Sequence, residues 1–182
     1  MTTLPTVATV IALFQDVLRS RAPDLAPEQG VLPWLLALHQ NNLEQWNRED
    51  AARQRAEDDR EVAAAKRDID RLNMKRHELV EEIDAQFVAV IEQSDAAPPT
   101  TESPAMVFDR LSVLVIRIFS TENVAVYADR LPVLYAQIAR LQEALEASFD
   151  DVRAGRKRFV PHQSLKLYWP QPSSRAAGSR RD

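Results

Sequence analysis

Residues 34–97 read WLLALHQNNLEQWNREDAARQRAEDDREVAAAKRDIDRLNMKRHELVEEIDAQFVAVIEQSDAA and contain neither glycine nor proline. Pro33 precedes this stretch and Pro98 follows it. The stretch is rich in Leu, Ala, Glu, Arg, Lys and Gln, the residues with the highest helix propensities. So long a sequence without a helix breaker predicts long α-helices and places the chain in the all-α class.

The long stretch is expected to break once, near residue 58. The apolar stripe is lost there, and Asp58 followed by Glu61 has the spacing of a capping box at a helix start. We therefore predict helix two up to about Glu57 and helix three from about Asp59 to Gln93, packed as an antiparallel hairpin. One continuous helix is the alternative, and it is disfavoured because no heptad repeat supports it.

Three more helices complete a predicted bundle of about five, at about Thr6–Ser20, Ser103–Phe119 and Thr121–Gly155. Ser103 is expected to cap helix four, which is apolar nearly all round and therefore buried. Thr121 is a plausible cap for helix five, and Pro132 is expected to kink that helix. Residues 1–170 are predicted to form a single helical-bundle domain.

The C-terminal segment is basic and aromatic. From residue 153 onward it holds eight Lys or Arg and one acid, in a chain whose net charge is −4. Residues 156–170 are predicted to be an extended arm, and residues 171–182 a disordered tail. The arm either folds across the bundle, burying Phe159, Leu165, Leu167 and Trp169, or binds nucleic acid. We favour the folded arm because free tails rarely carry so many large apolar residues.

Several function classes are excluded or disfavoured by composition. The chain has no cysteine, which excludes disulfides and thiolate catalysis, and none of its three histidines follows a glutamate by three residues. We therefore expect no metal and no cofactor.

The most apolar segment, Met106–Phe119, is too short to span a bilayer and no signal peptide is evident, so a cytoplasmic protein without a transmembrane segment is expected. The step from Glu81 to Asp84 is similar to one in all-helical nucleotide pyrophosphatases, but the matching acidic motif is missing.

Polar residues on the inward faces of helices two and three are the best candidates for a site. A helical wheel places these residues on the inward faces, and an antiparallel hairpin that turns near Asp58 brings Asp50 opposite Lys66–Ile69 and Asn42 near Arg76. Because an unpaired buried charge is costly, we predict a paired network or polar pocket between the two helices. Its residues are His39, Asn42, Trp46, Glu49, Asp50, Arg53, Lys66, Asp70, Asn73 and Arg76.

Two interpretations of these residues stay open. They fix the register of the hairpin or line a dimer interface. Alternatively they bind an anionic ligand, with Arg53, Lys66 and Arg76 contacting a phosphate or carboxylate and with Asp50 or Glu49 acting as acid or base.

The same region resembles an uncharacterised bacterial family, a "domain of unknown function". The residues that carry the resemblance are Leu38-His39, Asn42, Trp46, Glu49-Asp50, Ala52-Arg53, Val62-Ala63, Lys66-Arg67, Ile69-Asp70, Leu72-Asn73, Arg76 and Ile83-Asp84, with Leu165-Lys166-Leu167-Tyr168 near the end. The resemblance implies a helical fold and, because such genes often lie beside glycosyltransferases, a role in cell-surface polysaccharide assembly.

Two functional hypotheses follow. The first is an accessory or interaction protein, a homo-oligomer such as a homodimer, whose partner is a glycosyltransferase or another envelope protein. The second is an enzyme or carrier for a phosphorylated or nucleotide-sugar ligand. The missing catalytic motifs favour the first over an enzyme.

Overall fold

A computed structural model describes residues 4–21, 30–54 and 59–165 of the chain. The helices in these ranges are α1 Val7–Leu18, α2 Leu32–Gln54, α3 Asp59–Val90, α4 Pro104–Glu122 and α5 Leu131–Arg153, with a 3-10 helix at Ala125–Arg130. The predicted all-α bundle of five helices is confirmed. None of the described helices is both long and apolar enough to cross a membrane.

Helices α2 and α3 form the predicted antiparallel hairpin. The Asn41 amide donates to the Leu72 carbonyl at 3.1 Å, and Arg48 pairs with Asp68 at 3.6 Å. Rising numbers in α2 therefore face falling numbers in α3, in the register that a hairpin turn near Asp58 predicts. Asn41 itself is buried.

Helix α4 is the centre of the bundle. It packs against each of the other four α-helices, and 11 of its 19 residues are buried. The Ser103 side chain accepts a hydrogen bond from the Met106 amide at 3.3 Å, and Pro104 follows it in the first turn. The predicted cap and the predicted burial of helix four are both confirmed.

The predicted start of helix five is wrong. Thr121 is buried in the last turn of α4, and the 3-10 helix separates it from α5, which begins at Leu131. Pro132 lies in the first turn of α5, where no backbone hydrogen bond is lost, so it causes no kink. The end of α5 is as predicted: Gly155 adopts a left-handed φ of 69°, which glycine tolerates best.

Aromatic rings from several elements fill one end of the core. Phe87 of α3 stacks on Phe108 of α4 at 5.6 Å and meets Phe149 of α5 at 5.4 Å. Phe159, beyond α5, lies edge-on to Phe149 at 5.2 Å and is only 2% exposed. The chain after α5 therefore contributes to the core.

Residues 157–165, called the strap below, run back along the carboxyl-terminal half of α3. Backbone amides of the strap donate to side chains of that region: Phe159 to Gln93 (2.9 Å), His162 to Asp84 (2.8 Å) and Ser164 to Glu81 (2.8 Å). The described part of the predicted arm thus packs on the bundle.

The end of the strap departs from the prediction. Leu165 is 83% exposed, so its predicted burial is wrong. Leu167, Trp169 and the predicted disordered tail 171–182 lie outside the described residues.

Candidate functional site

Buried polar side chains connect α2 to α4. The Asn42 amide donates to Asp109 Oδ1 at 2.9 Å and to Ser112 Oγ at 3.1 Å. The His39 Nδ1 atom lies 2.9 Å from the same Ser112 oxygen. All four side chains are buried, and we call them, together with Arg76, the polar core.

Arg76 of α3 joins the polar core through Asp109. Its Nε donates to Asp109 Oδ1 at 2.8 Å, and its Nη2 donates to Asp109 Oδ2. The pair is therefore bidentate, the strongest arrangement of arginine and carboxylate. Asp109 is only 2% exposed whereas Arg76 is 30% exposed, so the guanidinium has one face against the core and one face toward solvent.

His39 is a neutral core residue. Burial lowers the pKa of His39 to about 4, so its imidazole is uncharged near neutral pH. The ring stacks on Phe14 at 4.4 Å and is fully buried. A substrate has no path to this imidazole, which therefore stabilises the fold rather than transferring protons.

A cleft of about 480 Å³ opens on the solvent side of Arg76, between α4 and α5. Four of its eight lining residues are arginines, and we call it the arginine cleft. The lining residues are Arg76, Arg110, Val113, Leu114, Arg117, Gln137, Arg140 and Leu141. The other four lining residues are three apolar side chains and one glutamine, and no carboxylate or histidine lines the cleft.

The four arginines differ in their partners. Arg76 is neutralised by Asp109, and Arg110 by Glu102. Neither Arg117 nor Arg140 forms an ion pair or a side-chain hydrogen bond with any residue in the described ranges. Two uncompensated positive charges in one concave site are suited to binding an anion with two negative charges.

Five of the predicted site residues pair within their own helices. Arg53 contacts Asp50 at 2.6 Å and Glu49 at 3.3 Å, and Lys66 contacts Asp70 at 2.7 Å. The predicted charge pairing across the hairpin is therefore wrong. Spacings of three and four residues let these side chains meet on one helix surface, where they stay largely exposed.

The remaining predicted residues fall into two groups. His39, Asn42 and Arg76 are brought together in the polar core, and Arg76 also lines the arginine cleft. Trp46 and Asn73 are half-buried and line none of the described clefts.

Another cleft, of about 210 Å³, does lie between α2 and α3. Its lining is Arg48, Ala51, Ala52, Glu61, Ala64, Ala65 and Asp68, which includes no predicted site residue.

Helices α4 and α5 contribute residues to the site that were not among the predicted ones. Asp109 and Ser112 complete the polar core, and Arg110, Arg117 and Arg140 complete the cleft. The available signal was the presence of Arg110 and Arg117 two helical turns apart in the most apolar segment of the chain. Cations at that spacing share one helix face, because seven residues make two turns.

Asp84, from the acidic step in α3, has a structural role. Its Oδ1 accepts from the Ala105 amide at 2.9 Å, at the start of α4, and its Oδ2 accepts from the strap at His162. Burial raises the pKa of Asp84, and the hydrogen bonds from Ser103 and these amides oppose that rise. Among the described residues, no three His, Asp or Glu side chains are grouped so that they could hold a metal ion.

The fold and the cleft define a helical-bundle protein with a central buried helix and a cationic surface cleft. The chain belongs to the family described as "Protein of unknown function (DUF4254)", whose model matches residues 33–160. This match includes the polar core and every residue of the arginine cleft. No curated protein and no solved structure matches the chain significantly.

Proposed function

We propose that this protein binds a phosphorylated ligand in the arginine cleft, as a carrier or as a protein that acts on that ligand. The observation that carries the proposal is the presence of two arginines, Arg117 and Arg140, in one cleft without a carboxylate partner. Two cations that line one cleft repel each other, and a bound phosphate relieves that repulsion. The cleft volume, about 480 Å³, lies in the range of small-molecule sites.

The proposed site differs from the one expected from sequence. The sequence suggested Arg53, Lys66 and Arg76 as anion contacts, and the arginine cleft keeps Arg76 and adds arginines from α4 and α5. Glu49 and Asp50, the suggested acid or base, pair with Arg53 instead. No acid or base lines the cleft, which favours a binding or carrier function over acid–base catalysis.

The direct test is a calorimetric titration with inorganic pyrophosphate. We expect Arg117→Gln and Arg140→Gln each to weaken binding about tenfold, since a charge-assisted hydrogen bond contributes roughly 1.5–3 kcal/mol. Neither variant should lower the melting temperature, because neither arginine is buried or paired. Arg153→Gln is the matched control, since Arg153 pairs with Asp150 and lies outside the cleft.

Two results would contradict the proposal. One is the absence of binding by the wild-type protein at millimolar pyrophosphate. The other is equal loss of affinity in Arg153→Gln and the cleft variants, which would mean non-specific attraction to the surface.

The accessory or interaction function is a second proposal, with support from a different surface. Large apolar side chains are exposed on and beside the 3-10 helix, with Val126 at 77% and Val124 at 41%. Exposed apolar groups of this kind are typical of protein contacts. We propose homo-oligomer formation through this surface, and sedimentation of a monomer at all accessible concentrations would contradict it. A cytoplasmic role beside a glycosyltransferase in envelope polysaccharide assembly is proposed from the sequence resemblance alone.

A further inference from the structure

A second cleft continues the arginine cleft along α4 and α5. It measures about 530 Å³ and is called the distal cleft; its lining is Arg117, Thr121, Asp129, Arg130, Val133 and Leu134. Arg117 lines both clefts. The later turns of α4 here meet the first turn of α5, so the two clefts lie end to end with Arg117 between them.

The groove formed by the two clefts is long. Arg110 and Thr121 lie at its two ends on α4, and at 1.5 Å per residue they are separated by about 16 Å along the helix axis. Inorganic phosphate is far shorter than this distance. A ligand that fills the groove therefore has a second chemical part beside its phosphate.

The distal cleft differs in chemistry from the arginine cleft. Asp129 brings a carboxylate that forms no ion pair or side-chain hydrogen bond with any residue that the structure describes. Thr121 adds a hydroxyl group, and the Arg130 guanidinium lies over the Tyr127 ring at 4.3 Å. A carboxylate repels a phosphate but accepts hydrogen bonds from neutral hydroxyl groups.

We infer that the ligand is a phosphate ester of a polyhydroxylated group, of the sugar phosphate class, an inference that rests on the proposed function. Its phosphate binds Arg117 and Arg140, and its hydroxyl groups donate to Asp129 and contact Thr121. Arg117 is the residue that both parts of the ligand reach.

The test compares three probes by calorimetry: pyrophosphate, ethyl phosphate, and a panel of glucose, galactose, mannose and N-acetylglucosamine 1-phosphates. Ethyl phosphate is a matched control because it is a phosphate monoester without hydroxyl groups. We expect at least one hexose phosphate to bind about tenfold more tightly than ethyl phosphate, the gain from a hydrogen bond to a charged acceptor.

The variant Asp129→Asn gives a result that misfolding cannot imitate. Removing this negative charge should leave pyrophosphate binding unchanged or slightly tighter, while most of the hexose gain is lost. Thr121→Val should reduce the gain by a smaller factor. Asp150→Asn, on the outer surface of α5, is the control.

The outcomes separate the two proposals. If pyrophosphate binds and depends on Arg140 but no hexose phosphate exceeds ethyl phosphate, the sugar inference is wrong and the anion site stands. A hexose gain that survives both Asp129→Asn and Thr121→Val also overturns the inference. If pyrophosphate does not bind, both proposals fail.

Discussion

Replacing Arg76 with alanine is the sharpest perturbation of the polar core. The change removes both hydrogen bonds that Arg76 donates to Asp109. With Arg76 in place Asp109 is only 2% exposed, and in the variant Asn42 is the remaining side-chain donor to it. The variant therefore holds a carboxylate in the bundle interior without a compensating cation.

The expected cost follows from that geometry. Breaking a buried ion pair by removing one partner costs about 3–5 kcal/mol. Because Arg76 is 30% exposed, water can reach the position that its guanidinium leaves. We therefore expect the lower end of this range, about 3 kcal/mol. For a domain of this size, such a loss lowers the melting temperature by roughly 6–12 °C.

Urea unfolding followed by circular dichroism measures this loss directly. The double variant Arg76→Met with Asp109→Leu removes the pair and the stranded charge together, and it should recover at least about 2 kcal/mol of the loss. A loss below about 1 kcal/mol in Arg76→Ala, or a double variant no more stable than the single one, would refute the assignment of Asp109 as a dry, paired carboxylate.

Two further predictions concern His39 and the strap. Burial lowers the pKa of His39 from 6.5 to about 4, so between these pH values His39 is protonated in the unfolded chain and neutral in the folded protein. The free energy of unfolding should therefore fall by roughly 3 kcal/mol as the pH falls from about 6.5 to about 4. Urea unfolding at several pH values should show that the free energy of unfolding depends less steeply on pH in His39→Gln. Phe14→Leu should lower the free energy of unfolding at every pH and leave its pH dependence unchanged. Phe159→Ala should cost about 3–5 kcal/mol and expose the strap to limited proteolysis, whereas Leu165→Ala should change stability by less than about 0.5 kcal/mol.

Local signals in the sequence were sufficient for most of the fold. The stretch without glycine or proline predicts α2 and α3, and Ser103 with Pro104 predicts the start of α4. The start of helix five failed for a local reason. A proline is compatible with the first turn of a helix, and inside a helix it causes a kink. Which of the two applies to Pro132 depends on whether residues 125–130 form a separate 3-10 helix, and the spacing of apolar residues does not reveal this.

The site was predicted less well because its partners come from distant parts of the chain. The helical wheel placed Arg76 and Asn42 inward correctly, but both bind Asp109 of α4 rather than each other's helix. Which helix covers an inward residue depends on how the bundle packs, and a wheel of one helix holds no such information. Lys66, which was expected to face Asp50 across the hairpin, pairs instead with Asp70 four residues along its own helix.

The strap has a consequence for how the chain is made. The hydrogen bond between Gln93 and Phe159 joins residues 66 positions apart in the chain, and the one between Asp84 and His162 joins residues 78 positions apart. During synthesis from the N-terminus, the side of Phe149 that Phe159 covers therefore stays uncovered until the strap emerges. Such distant contacts close slowly for an all-helical protein, and the nascent chain exposes an aromatic surface that chaperones can recognise.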